Sequence, residues 1–541
     1  MAPHEIVSLE LARHLCSLSR QLGRQVGVLI TREGSIRNVI VGDAMHLMLP
    51  DIGRMRGGAG RFRGLRLVHT HLNGEDLTAD DLNDLALLRL DLIAALEARP
   101  DGKPGRLHVA YVNPLSEDYE GNRNPFQFVE APRLQQLDFN FAATIRAVEE
   151  EFSRRRRKSS RDQGRERALL ISLTQDEDHF AEMVELIKSA GAQLGGVIRQ
   201  RRGRVHPRTV VGRGKLQEIV LEGMRRQAEV AIFDLDLKPA QARAFEDATG
   251  LKAIDRTQLI LDIFVQRAGS GDGKLQVELA QLKYSLPRLT DKDAGLSRLV
   301  GGIGGRGPGE TVMEIGRRRI RQRIRALEEK ITALSRQRDL RRSKRRRENL
   351  PVLSIVGYTN AGKSTLLNAL TNSKIEAGDQ LFMTLDPTSR RLRFPQQGEV
   401  IITDTVGFIS DLPADLVTAF RATLEELQDA DLLLHVADAS DQRIGHHVTA
   451  VDRTLEELGL GETSRLLVLN KMDLVGEKRA EQVMRRYPGV PVSARQRQGL
   501  ENLIESVISM LRHKRAFFNP AYRDARAQLD ALTCDDNGPE A

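Results

Sequence analysis

The 541-residue chain contains no tryptophan, only six tyrosines and two cysteines, and no long uninterrupted apolar run. Each shortage excludes something. A membrane-spanning helix needs ~20 consecutive apolar residues, and no stretch here approaches that. The opening MAPHEIVSLELARHLCSLSR scatters acidic and basic residues through its apolar positions and so lacks the core of a signal peptide. Cys16 and Cys534 stand near opposite ends, which excludes a disulfide framework or a cysteine-based metal site. They read as ordinary thiols, and the expected location is the cytoplasm. With aromatics at 4%, base-stacking platforms are scarce, so any nucleic-acid partner is expected to be recognised by backbone or shape.

The chain is rich in unevenly placed positive charge. Its 82 basic residues outnumber 74 acidic ones, a net +8, but the excess is bunched at 153–167, 199–215 and 317–347. The last stretch holds 15 Arg and Lys against three acids. One such cluster reads equally well as a solvated face; three favour a phosphate backbone, hence RNA or a ribonucleoprotein. The length exceeds what one hydrophobic core fills, and 40% apolar with 29% charged residues fits a soluble multidomain protein.

Organisation follows from pattern. The basic run 153–167 (SRRRRKSSRDQGRER) reads as a linker or exposed helix end between a unit at 1–152 and an α/β unit beginning at Ala168. From Ala168 to residue 268, strands (ALLISLT, LGGVIRQ, VAIFDLD, LKAID) alternate with helices (HFAEMVELIKSAG, PAQARAFEDATG), the signature of a parallel sheet covered by helices. Residues 257–293 read as helical with a break at 269–273, followed by the glycine-rich loop 301–310. The stretch 317–347 carries Ile320, Ile324, Leu327, Ile331 and Leu334 at heptad-like spacing, so 269–349 is expected to form that loop and a basic helical hairpin. A second α/β unit is expected at 350–516, before a polar tail at 517–541. The fold class is therefore multidomain α/β with a P-loop domain whose parallel sheet bears helices on both faces.

The chemistry is concentrated in that last unit. Gly357, Tyr358, Thr359, Asn360, Ala361, Gly362, Lys363 and Ser364 spell G-x-x-x-x-G-K-S after an apolar strand (Leu353 to Val356) and before a helix. That context makes the motif a phosphate-binding loop: glycines let backbone N–H groups approach the phosphates and the helix N-terminus favours anions. Lys363 is expected on the β- and γ-phosphates and the Ser364 hydroxyl on Mg²⁺. Further on, a strand ends in Asp404, Thr405, Val406 and Gly407, suiting a water-mediated Mg²⁺ contact and a γ-phosphate contact. Another ends in Asn470, Lys471, Met472 and Asp473. A carboxylate there accepts both guanine N1–H and its exocyclic amine, which adenine cannot match, so GTP or GDP is the expected nucleotide. Ser493, Ala494 and Arg495 would contact guanine O6. Between these motifs lie Phe382, Met383, Thr384, Leu385 and Asp386. Thr384 is the candidate to join Ser364 on Mg²⁺, with Thr388 and Thr371 as alternatives. Lys363, Thr384 and Gly407 are the expected catalytic groups. Phe408 follows Gly407, where many such switches place a water-orienting glutamine, so hydrolysis is expected to be slow without a partner, a rearranged loop or another polar group.

Over roughly 168–516 the chain resembles the HflX family of ribosome-associated GTPases. The resemblance rests on VVGRGKLQEI, AIFDLDLKPAQ, DRTQLILDIFVQRA, QVELAQLKYSLPRL, GGIGGRGPGET, FMTLDPTSR and DTVGFISDLP as well as the nucleotide motifs. It implies binding to the large ribosomal subunit and the splitting or rescue of stalled or idle ribosomes, particularly under stress; a monomer is expected. Arg306 and the basic residues of 317–347 would then face ribosomal RNA, unless they only solvate the hairpin. Gly305, Gly316 and Arg495 depart from the family's usual residues. A GTP-regulated module for another RNA or protein is the alternative.

Residues 1–152 lie outside that resemblance. RQVGVLITREG and RNVIVGD read as paired strands, followed by a helical run at 80–97. His69 and His71 precede Thr78 and Asp81, which looks like the His-x-His…Ser-x-x-Asp arrangement of JAB/MPN metalloproteases. The interval from His71 to Asp81 is one residue shorter than in that arrangement. Arg24, Gln25 and Val26 stand where its glutamate belongs. A degenerate relative of that fold, an unrelated α/β domain and a GTP-gated metallopeptidase are the readings this leaves.

Overall fold

The computed structural model describes residues 2, 4–47, 49, 62–113, 124–159, 166–200, 205–289, 312–347, 350–371, 381–382, 388–394, 398–405, 407–409 and 425–511. Two compact units emerge, one of residues 1–180 with 191–256 and one of residues 181–190 with 257–541.

The first unit holds two sheets. Strands β1 (Val26–Thr31), β2 (Ile36–Val41), β3 (Leu65–His71), β4 (Leu92–Ala98), β5 (Pro104–Val112) and β6 (Phe126–Ala131) form a sheet ordered β2-β1-β3-β4-β5-β6. All its pairings are antiparallel except β3 with β4, whose crossover carries the helix Ala79–Leu87. The expected helical run at 80–97 is therefore corrected. Only its first half is helix, closed by Leu88 and by Arg89 at φ 51°, and Leu92–Ala98 is a strand. LIAALEA consists largely of good helix formers, but it lies between β3 and β5 with all but Glu97 buried. Burial in a central strand overrides intrinsic propensity.

Strands β7 (Arg167–Ser172), β8 (Gln193–Arg199), β9 (Val230–Phe233) and β10 (Lys252–Ile254) form the second sheet, ordered β10-β9-β7-β8 and wholly parallel. Helices Arg213–Arg226 and Pro239–Thr249 pack on it through Leu216, Ile219 and Phe245. The basic run at 153–167 begins as the end of the helix Phe141–Ser159.

In the second unit the helices Gly271–Ser285 and Val312–Arg347 pack together. Ser270 caps the former, so its first turn includes Gly271 and Gly273, and the expected break narrows to 268–270. Of the heptad-like seam, Leu327 and Ile324 are buried. Arg323 reaches Glu278 and Lys283 reaches Glu328, both at 2.7 Å. The glycine-rich loop with Gly305 and Arg306, and residues 512–541 with the expected tail at 517–541, lie outside the described residues.

The remaining strands, β11 (Val352–Gly357), β12 (Thr388–Phe394), β13 (Gly398–Asp404), β14 (Leu432–Asp438), β15 (Arg465–Asn470) and β16 (Val490–Pro491), are ordered β12-β13-β11-β14-β15-β16. Only the edge strand β12 is antiparallel. Side chains alternate between faces. Leu434, Val436 and Val468 join a core with helices Lys363–Thr371 and Leu500–Leu511, while Ala437 and Leu469 join another with helices Ile444–Glu457 and Glu477–Arg486. This layering sets the carboxyl ends of the parallel strands at one edge, where doubly wound sheets hold ligands. Among the described residues no helix is long and apolar enough to cross a membrane.

Candidate nucleotide site

The motifs at 357–364, 404–407, 470–473 and 493–495 each follow the carboxyl end of one of these parallel strands. Register aligns them: Ile355 pairs with Asp404, Gly357 with Val436, and Asp438 with Asn470.

The phosphate loop leaves β11 at Gly357, whose φ is 152°. A Cβ there would lie 2.2 Å from the Val436 carbonyl oxygen. At Gly362, with φ 89°, a Cβ would lie 2.3 Å from Asn470 Nδ2. Only glycine fits either position. Asn360 turns the loop at φ 61°, a conformation asparagine tolerates. The loop closes on the helix Lys363–Thr371. Ala361 and Thr359 are buried, and the Thr359 hydroxyl has no hydrogen-bond partner among the described residues.

Lys363 is buried and its Nζ donates to the carbonyls of Gly357 (3.1 Å) and Tyr358 (2.7 Å). Burial pushes its ammonium down to about 8, with Asp404 pulling the other way. The Ser364 hydroxyl donates to Asp404 Oδ2 at 2.8 Å, and Oδ1 accepts from the Thr405 N–H at 3.0 Å. The Thr405 hydroxyl ties back to the Ile355 carbonyl at 2.7 Å. A hydroxyl and a carboxylate at the mouth of a phosphate loop are hard oxygen donors, the type Mg²⁺ takes. Gly407 packs so closely that a Cβ would meet Thr359 Cγ2 at 2.7 Å and Lys363 Nζ at 3.0 Å.

The motifs at 470–473 and 493–495 are tied to this loop and to each other. Asn470 Nδ2 donates to the Ala361 carbonyl (2.9 Å) and Oδ1 accepts from the Ala494 N–H (3.1 Å), so one buried side chain clamps two loops. Lys471, at φ 63°, lies 2.7 Å from Asp438. The Met472 N–H donates to the Val492 carbonyl at 3.2 Å. Asp473 is half-buried, and Ser493 donates to its Oδ1 at 2.7 Å, which fixes the carboxylate's orientation. Arg495 is exposed.

Other expectations fare differently. Phe382 is buried at φ 57°, edge-on to Phe264 with centroids 4.6 Å apart, and the adjacent Leu381 N–H donates to Ser189 Oγ at 3.0 Å. Met383, Thr384, Leu385, Asp386 and Val406 lie outside the described residues. Of the alternatives to Thr384, Thr371 donates its hydroxyl to the Leu367 carbonyl at 2.7 Å, and Thr388 begins the edge strand β12. Phe408 is buried; its carbonyl accepts from the Thr359 N–H and its own N–H donates to Gly357. Two groups had no signal in the sequence. One is Asp438, the partner of Lys471. The other is a brace on the loop, in which Tyr358 stacks on His447 (centroids 3.9 Å, 13° between planes) and donates its hydroxyl to buried Glu182.

Comparison with known proteins decides the kind of molecule. Residues 177–265 match the family model for the GTP-binding GTPase N-terminal region, 267–345 the GTPase middle region, and 352–471 the 50S ribosome-binding GTPase family. The GTPase HflX of Caldanaerobacter subterraneus subsp. tengcongensis is 47% identical over 351 residues, covering 63% of this chain and 80% of that protein. The GTPase HflX of Escherichia coli is 44% identical over 353 residues, covering 64% and 83%.

The chain belongs to the HflX family of GTPases. As a member it is a GTP hydrolase, built on a P-loop sheet within a multidomain α/β protein. A GTP-binding protein from Sulfolobus solfataricus in complex with GDP aligns at 24% identity and a TM-score of 0.35, covering 64% of this chain and 99% of that one. The family models begin after the first sheet: residues 1–176 precede the first of them.

Proposed function

We propose that this HflX-family GTPase binds the large ribosomal subunit in the cytoplasm and uses GTP to split or rescue stalled or idle ribosomes, particularly under stress. The observation that carries the reading is a family match described as 50S ribosome-binding, joined to a 36-residue helix dense in arginine. Phosphate-backbone contacts suit that helix and its glycine-rich approach at 301–310. The proposed division is an N-terminal extension (1–152), linker (153–167), α/β subdomain (168–268), basic hairpin (269–349), GTPase domain (350–516) and tail, acting as a monomer.

In the proposed chemistry, loop N–H groups and Lys363 hold the β- and γ-phosphates, and the Gly407 N–H meets the γ-phosphate. Ser364, with Thr384 from the switch segment, would hold Mg²⁺ directly and Asp404 would act through water. The ion would offset the negative charge that builds between the β- and γ-phosphates. Asp473 reads the guanine edge, with Ser493, Ala494 and Arg495 around O6. Phe408 offers no polar group to align the attacking water and its backbone is tied to Gly357 and Thr359. The aligning group therefore comes from a rearranged loop, from another polar group or from the partner.

Large subunits are accordingly expected to raise the GTPase rate by more than about tenfold, a modest share of what partner-supplied groups achieve in other switches. Rates with and without purified subunits, together with sedimentation of whole ribosomes in GTP and a non-hydrolysable analogue, check this. No stimulation, with neither co-migration nor splitting, would leave a GTP-regulated module for another RNA or protein.

Affinity should also depend on pH through Lys363. Its depressed value near 8 means the free protein carries the proton below that pH and loses it above. Bound phosphate favours the charged form, so binding above pH 8 takes up a proton. GDP affinity should be flat below about pH 8 and fall by up to about tenfold per pH unit above it. Lys363→Arg, charged throughout, should flatten the profile. Equal profiles for the two proteins would remove Lys363 from the phosphates.

A further inference from the structure

The first unit holds a second constellation of chemically capable groups, in the part of the chain that no family model covers. His69 and His71 sit two residues apart on β3 and so face the same side of the sheet. Asp81 comes from the first turn of the helix Ala79–Leu87. The two Nε2 atoms are 2.9 Å apart, and Asp81 oxygens lie 3.2 Å from that of His69 and 3.6 Å from that of His71. Both histidines are buried.

Two of the three donors are turned inward by a contact on their outer side, whereas His69 Nδ1 is buried with no hydrogen-bond partner among the described residues. His71 Nδ1 lies 2.8 Å from the Glu75 carbonyl, which can only accept, so Nδ1 carries the proton and the Nε2 lone pair points into the cluster. Asp81 Oδ2 accepts from both the N–H and the hydroxyl of Thr78 at 2.8 Å. Such outer contacts orient ligands around metals. The interval from His71 to Asp81 is short, yet the 72–78 turn and the capping box at Thr78 still deliver the carboxylate to the histidines. The separations of 2.9–3.6 Å, the two to Asp81 being those of its Oδ1 and Oδ2, are close to the ~3.3 Å ligand-to-ligand edges of a tetrahedral ion with bonds of ~2.05 Å. A lone pair and a carboxylate facing each other in a buried place repel, and one hydrogen bond from His69 relieves only one of those contacts.

We propose that His69, His71 and Asp81 bind one zinc ion through two imidazole nitrogens and a carboxylate oxygen, leaving one coordination position for an exchangeable ligand. Two nitrogens and one oxygen are a donor set that zinc takes readily, and three protein ligands are the mark of an open site. The neighbouring side chains narrow what that position does. Gly27 pairs with His69, which sets Gln25 on the same face of the adjacent strand. Gln25 is buried, and its Nε2 has no hydrogen-bond partner among the described residues. An amide cannot accept a proton at neutral pH, but it can donate to a zinc-bound ligand. Glu97, which pairs with His71 from β4, is engaged by the N–H and guanidinium of Arg106. In the proposed site, then, Gln25 is placed to donate to a small zinc-bound ligand, and Glu97 is held by Arg106.

The test uses the full-length protein, stripped with a chelator and dialysed against zinc. One zinc per chain should be retained. His69→Ala and Asp81→Asn should each weaken zinc binding by at least about 10–100-fold while leaving GTP hydrolysis unchanged. Zinc should raise the unfolding midpoint of stripped wild type but not that of either variant. That comparison keeps the result readable even if a variant is less stable, because each protein is its own control. Less than half an equivalent retained by wild type, equal retention by the variants, or a midpoint indifferent to zinc would overturn the proposal. The three residues would then be a hydrogen-bonded cluster without an ion.

Discussion

Replacing Lys363 with alanine should abolish measurable GTP hydrolysis and weaken guanine-nucleotide binding by about a hundredfold or more. The side chain performs two tasks from one buried position. Its ammonium donates to the Gly357 and Tyr358 carbonyls, so it holds the loop's curvature, and it is the one cation placed at the start of the helix Lys363–Thr371 among the described residues of the loop. Each charge-assisted hydrogen bond lost costs about 1.5–3 kcal/mol, and a phosphate contact that strengthens as charge develops adds a rate effect of about 10²–10³. The measurement is calorimetric GDP binding with single-turnover hydrolysis. The sheet beneath should be unaffected, because β11, β13 and β14 are held by their own ladders and by an apolar core that excludes Lys363. An alanine variant that keeps wild-type affinity would show that the loop does not cradle phosphate.

The second large effect is a change of base. Asp473→Asn should reduce GTP affinity by about 10³-fold or more and create a preference for xanthine nucleotides. Guanine presents two donors on that edge, N1–H and the exocyclic amine, and in the proposed site the aspartate accepts both. Asparagine presents one acceptor and one donor, so its amide N–H opposes the guanine amine but matches the C2 carbonyl of xanthine. Sites that match a hydrogen-bonding edge reject a mismatched one by about 10⁴–10⁵, because buried polar groups are left unpaired. Ser493 sharpens the effect, since its hydroxyl holds Asp473 Oδ1 at 2.7 Å and removes the freedom to rotate away. Competition between GTP and XTP for both proteins checks this. Unchanged preference for GTP in the variant would place the base elsewhere.

The sequence was most legible where chemistry demands a particular residue at a short, fixed spacing. From Gly357 to Ser364 the backbone must curve, approach and then start a helix, and few residues can do this in eight positions. The tetrapeptide ending in Asp473 was placed correctly at the end of a parallel strand, beside the phosphate loop. Apolar strands of four to six residues ahead of each motif marked the parallel sheet. The pattern was least legible at Leu92–Ala98, where helix-forming residues make a central strand. Burial decided that segment, and a local window cannot see it.

What the residues alone determined is therefore the class of molecule and its nucleotide: a P-loop hydrolase selective for guanine, because those requirements are local in the chain. The tertiary structure decided how the site is held. Asn470 clamps a loop 109 residues away, Ser364 meets Asp404 across 40 residues, and Tyr358 reaches Glu182 across 176. It also decided that His69 and His71 meet Asp81, although the interval between them departs from the pattern they resemble. The physical reason is common to all of these. Such contacts are set by strand order, register and the turns between elements, and spacing along the chain carries almost none of that information.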